Sequence, residues 1–69
     1  MSSADRAARE RGETIRAKLR EQLQSGPRTA AELLPDIDVE NLSLSEVEFQ
    51  LGRLEDAGDV IDEAGVYRL

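Results

Sequence analysis

Fifteen carboxylates, nine cationic side chains and one tyrosine are the ionisable side chains of this 69-residue chain, which has no His and no Cys. That inventory excludes a disulfide framework, a zinc site of the usual kind and any His-based general base. No nucleophile–base pair can be built from what remains, and no carboxylate stands in a distinguishing context, so catalysis is not expected. Asp36, Asp38 and Glu40 alternate as in an oxygen-lined cation loop. The Gly and the terminal Glu of a calcium loop are missing, so neither metal nor cofactor is expected. The chemistry left is recognition. Arg9, Arg16 and Arg20 line up on one side of a first helix, if that helix reaches back far enough. They form either a phosphate-contacting stripe or a solvated face knitted by Arg9–Glu13 and Glu13–Arg16 pairs.

The elements that must position these groups follow from periodicity. Residues 1–12 are polar and rich in Arg and Ala, with no large apolar residue after Met1, and are expected to form a flexible basic arm ahead of a domain spanning 13–69. Ala8 and Gly12 fall on the side of the apolar positions and would allow the first helix to extend, but Gly12 and the lack of anchors argue against a rigid extension. Ile15, Leu19 and Leu23 recur at helical spacing and predict a first helix from about Glu13 to Gln24, stopped by Ser25-Gly26-Pro27. Pro27-Arg28 reads as a short extended segment. Thr29 and Glu32 have capping-box spacing and open a short second helix anchored by Leu33 and Leu34 and ended at Pro35. Residues 36–42 form an acidic connector with Ile37, Val39 and Leu42 directed inward.

Two overlapping cap signals, Ser43 with Glu46 and Ser45 with Glu48, open a third helix. Leu44, Leu51 and Leu54 lie within about 60° of Val47 and form its core stripe. Gly58 suits the left-handed end of that helix. Val60-Ile61 and Val66 to Leu69 then form a hairpin around a loop of about three residues, Glu63-Ala64-Gly65, with Tyr67 packing in the core or at the edge. Phe49 lies about 200° from Val47 and points away from this core beside Gly52 and Arg53, unless the connector folds over it. There it can meet a thymine methyl, a protein partner or a second copy of the chain.

Charge is divided along the chain. Residues 1–28 carry seven basic against four acidic groups, and residues 29–69 carry two against eleven, giving a net charge of −6. Eight Arg to one Lys, few aromatics and a dense acidic surface resemble proteins adapted to molar internal salt, as in haloarchaea. At ~1 M salt the Debye length is about 3 Å, so a negative net charge does not exclude a polyanionic partner. A single core of this size rarely supplies more than ~3–5 kcal/mol, so folding is expected to need high salt, an oligomer or a partner. No apolar run approaches a membrane span and the start is too polar for a secretory signal, so a cytoplasmic location is expected.

Helix, short strand, helix, connector, helix, hairpin is the order of a mainly α, three-helix winged helix-turn-helix domain with a small β wing. Residues Ser25-Gly26-Pro27-Arg28-Thr29-Ala30-Ala31-Glu32-Leu33 resemble the approach to and course of the second helix in archaeal and bacterial winged-helix repressors. The run from Ser45 through Glu46-Val47-Glu48-Phe49-Gln50-Leu51-Gly52-Arg53-Leu54 to Val60 resembles their third helix and the entry to the wing. The resemblance is closest to the arsenic-repressor-like group and covers about Ile15 to Leu69. It implies that the third helix enters the major groove of duplex DNA, presenting Ser45, Phe49, Gln50 and Arg53. Gln50 would read adenine, and Arg53 would read guanine or bind phosphate, with Arg16, Arg20 and Arg28 as further contacts. Glu46 and Glu48 depart from the positive reading head of that group, and the span from Thr29 to Val47 is about three residues longer than a compact helix-turn-helix needs. The function implied is a DNA-binding transcriptional regulator. The alternative is a winged helix that binds protein, as a partner or a homodimer, without sequence-specific DNA contact.

Overall fold

The computed structural model describes residues 3–69, which form three helices and a three-stranded antiparallel sheet. Helix α1 runs Ser3–Leu23, strand β1 is Arg28–Thr29, α2 is Ala30–Leu33 and α3 is Leu44–Asp56. The hairpin follows as β2, Ile61–Glu63, and β3, Val66–Arg68. The core joins Ile15, Leu19 and Leu23 of α1 to Leu33 of α2, Ile37 of the connector, Val47, Leu51 and Leu54 of α3, and Val60. Six of these side chains are less than 2% exposed, and each contributes roughly 1.5–3 kcal/mol by burial.

Helix α1 departs most from expectation. It begins at Ser3, ten residues ahead of the expected start at Glu13, so the stretch that reads as an arm continues the helix. Met1 and Ser2 of that arm lie outside the described residues. Ala4, Ala7 and Ala8 favour the helix locally, and Gly12 is buried against α3 instead of breaking it. Residues 3–10 are nonetheless all exposed. A 21-residue helix is about 30 Å long, close to the 37 Å longest dimension of the molecule.

The caps explain the other boundaries. Thr29 and Glu32 form the complete expected box, with the Glu32 amide donating to Thr29 Oγ1 at 3.2 Å and the Thr29 amide donating to Glu32 Oε1 at 2.9 Å. These bonds hold the Glu32 carboxyl below its ordinary range. Pro35 ends α2, and the chain tightens into a single 3₁₀ turn, Leu34–Asp36. Of the two cap signals before α3, Ser43 is the cap, accepting from the Glu46 amide at 3.1 Å. Leu44 becomes the first residue of α3 and is 39% exposed, so the core stripe begins at Val47 and not at Leu44.

At the far end of α3 the Gly58 amide donates to Glu55 O and the Asp59 amide to Leu54 O, with Gly58 at φ +80. This is the left-handed cap that the sequence predicts for Gly58. The hairpin loop is two residues and not three. Ala64 and Gly65 both have positive φ, as a type I′ turn requires, and Asp62 Oδ1 accepts from the Gly65 amide at 2.9 Å. Strand β3 is central, because Arg28 and Thr29 pair with Tyr67 and Val66 on the side away from β2. Strand β1 is the short extended segment expected from Pro27-Arg28, shifted by one residue, and its pairing with β3 is what the sequence does not predict.

Candidate functional site

The side of α3 turned from the core is where the residues singled out in the sequence meet or part. At 100° per residue, Ser45, Phe49, Gly52, Arg53 and Asp56 share an arc of about 100° opposite Val47, Leu51 and Leu54. Phe49 is 61% exposed, and Ser45, Arg53 and Asp56 are exposed with it. The connector does not cover Phe49. Instead Ile37 is buried, and Val39 and Leu42 pack against the core. A Cβ built on Gly52 meets nothing within 4 Å, so no neighbour inside the domain requires glycine there. Arg53 makes no ion pair among the described residues.

Gln50 must be removed from this set. It is 8% exposed, and its Oε1 accepts a 2.7 Å hydrogen bond from Arg16 Nη1. Its amide is committed to α1. Arg16 is correspondingly half-buried and engaged with α3, so it belongs neither to a free phosphate stripe nor to a pair with Glu13. Gly12 explains the fit: a Cβ there would come within 3.1 Å of both Arg16 Nη1 and Gln50 Nε2. A larger residue would press on the hydrogen-bonded pair.

Arg11 and Glu46 form the next tie along the same flank. Arg11 Nε donates to Glu46 Oε2 at 2.7 Å and Nη2 to Oε1 at 2.9 Å, a bidentate fork between residues 35 apart in sequence. The hydrogen bond from Arg11 is the main cause holding the Glu46 carboxyl below its ordinary range, and the same bond raises the Arg11 guanidinium. Arg20 lies 3.7 Å from Asp59 in an exposed pair. From Arg11 through Arg16 to Arg20 the partners advance from Glu46 through Gln50 to Asp59. The two helices therefore run side by side in the same sense, joined by a polar seam.

Away from this seam α3 packs against α2, and Tyr67 of the sheet packs against the core. Burial, and after it the charges of Asp62, Glu55 and Glu48, push the Tyr67 phenol above its ordinary value. Glu48 is exposed and, at about 100° from Val47 around α3, lies off the outward arc. Arg28 is turned to the end of the 3₁₀ turn, where its Nη1 donates to Asp36 Oδ2 at 2.8 Å. The hairpin is closed by an Arg68–Glu63 pair.

Of the seven expected contact residues, Ser45, Phe49 and Arg53 are brought together on one open surface. Gln50 and Arg16 are bonded to each other inside the α1–α3 seam, while Arg20 and Arg28 are paired elsewhere. Arg11 and Gly12 shape the site but carry no local sign of it, since their partners are 35 and 38 residues distant. Among the described residues no helix is long and apolar enough to cross a membrane. No protein family, curated protein or solved structure matched the chain when it was compared with known proteins.

Proposed function

We propose that the chain is a winged helix-turn-helix transcriptional regulator that binds duplex DNA through α3, with the β2–β3 hairpin as its wing. One observation carries this reading. The outward stripe of α3 holds exposed Ser45, Phe49 and Arg53, whose side chains make no hydrogen bond or ion pair among the described residues, while Glu46 and Gln50 of the same helix are tied inward. Arg53 supplies a guanidinium for guanine or phosphate, Ser45 a hydroxyl near the helix N-terminus, and Phe49 an apolar face for a thymine methyl. Gly52 keeps the surface between them low, although glycine inside a helix costs about 1 kcal/mol relative to Ala. Of the two carboxylates that depart from a positive reading head, Glu46 at the edge of the stripe is compensated by Arg11, and Glu48, about 100° from Val47, lies off it.

A second reading has its own support. A phenylalanine 61% exposed on a chain of net charge −6 is also what a protein-binding winged helix presents. Titrating a random-sequence duplex with the whole chain across a molar salt series separates the two. The DNA reading expects log K to fall linearly with log salt. Absence of binding at every salt, together with self-association or protein binding that Phe49→Ala abolishes, transfers the function to the protein reading.

A further inference from the structure

We infer that Arg11 is a positioning residue for the DNA contact: it holds the Glu46 carboxylate against α1 and cancels its charge, so that the first turn of α3 can approach a polyanion. The inference rests on the DNA reading above.

Three observations lead to it. Glu46 lies in the first turn of α3, directly after Ser45 of the outward stripe, where an uncompensated carboxylate would face an incoming phosphate. Both of its oxygens are taken by the Arg11 fork, at 2.7 and 2.9 Å, and the paired side chains are only 35% and 26% exposed. A planar guanidinium held at two points fixes the direction of the carboxylate as well as its charge.

The third observation is a contrast between two caps of the same sequence type. In α2, Thr29 and Glu32 satisfy each other reciprocally. In α3, Ser43 accepts from the Glu46 amide, but among the described residues the Glu46 side chain makes no return bond to the Ser43 amide. Its carboxylate goes to Arg11 instead. The helix gives up half of a capping box, and what the domain gains is a neutralised carboxylate at the edge of its open face.

A purely structural bridge and a compensating one differ in sign. Glu46→Gln and Arg11→Gln each break the same ion pair, so both lower the melting temperature. Their effects on affinity for a random-sequence duplex should be opposite at the low-salt end of the series. Glu46→Gln should bind about three- to fivefold tighter and Arg11→Gln about three- to fivefold weaker, as one unit charge near phosphate implies. The double variant, with its net charge restored, should return to within about twofold of the wild type. Arg11→Lys keeps the charge without the fork and should retain most of the affinity, which covers the case of a poorly folded Arg11→Gln. Glu21→Gln makes the same charge change at an exposed site elsewhere on α1 and should move affinity less than Glu46→Gln does. Circular dichroism at each salt confirms that every variant is folded. If both single variants weaken binding, or Glu21→Gln matches Glu46→Gln, the inference is overturned while the DNA reading survives. If the wild type binds no duplex at any salt, both are overturned.

Discussion

The two long sides of α3 are built from similar residues and put to opposite uses. The flank toward α1 carries Glu46 and Gln50, each bonded to an arginine of α1, and the outward stripe carries Ser45, Phe49 and Arg53, whose side chains make no hydrogen bond or ion pair among the described residues. Neither hydrophobicity nor charge separates the two sides, since the chain's one Phe is on the open side and an amide is on the closed one. The difference is whether another element of the fold comes within hydrogen-bond reach. A polar side chain that finds a partner at 2.7 Å becomes structure, whereas an aromatic left 61% exposed keeps an open face for a partner.

Substitutions can break this comparison, and the largest effect is expected at the core. Leu51→Ala removes a fully buried side chain and should cost about 2–5 kcal/mol in chemical denaturation. Gln50→Ala deletes the acceptor of Arg16 Nη1 and should cost about 1–2 kcal/mol, as removal of a half-buried charge-assisted bond does. A loss near zero would return Gln50 to the set of free contact residues. Gly52→Ala should change sign, stabilising by up to about 1 kcal/mol because the site is open and helical, while weakening binding by filling the low part of the stripe. Phe49→Ala should cost less than about 1 kcal/mol of stability and yet impair binding, since most of its ring is already in water. A cost of about 3 kcal/mol or more, as a core Phe gives, would show that the outward stripe is not outward.

Acid sharpens the same contrast. The carboxyls of Glu46 and Glu32 lie below their ordinary value of 4.5 in the folded chain. They therefore contribute stability that is complete above 4.5 and is lost as pH falls through their lowered folded values. Glu46→Gln should flatten that acid limb in part and leave the contribution of Glu32. Melting temperatures recorded from neutral pH down to about 2 measure both.

How much of this is legible in the sequence depends on whether a residue's partner is local. The capping box at Thr29 and Glu32, the Ser43 cap, the left-handed Gly58 and the Ile15, Leu19, Leu23 stripe each involve neighbours a few residues away, and each follows from the sequence. Period alone places Phe49 outward. The outward reading of Gln50 comes from the family resemblance and not from the period, which puts it about 60° from Val47 at the edge of the core stripe, where Arg16, 34 residues distant, holds it. The start of α1 escapes the sequence for the same reason: what holds residues 11 and 12 is polar contact with α3, which apolar periodicity does not register. The short strand at Arg28–Thr29 is legible beside Pro27, but its place in the sheet depends on the free edge of β3, which is distant in sequence. Leu44 has the right angle for the core but is the first residue of its helix, where the core has already ended.

The most direct test of a DNA-binding outward stripe is a ¹H–¹⁵N spectrum of the whole chain titrated with duplex DNA at a salt concentration where the chain is folded. The largest amide shifts should fall at Ser45, Phe49, Gly52 and Arg53, with small ones at Val47, Leu51 and Leu54. Shifts confined to residues 3–10 of α1, or none at any salt, would contradict a DNA-binding stripe.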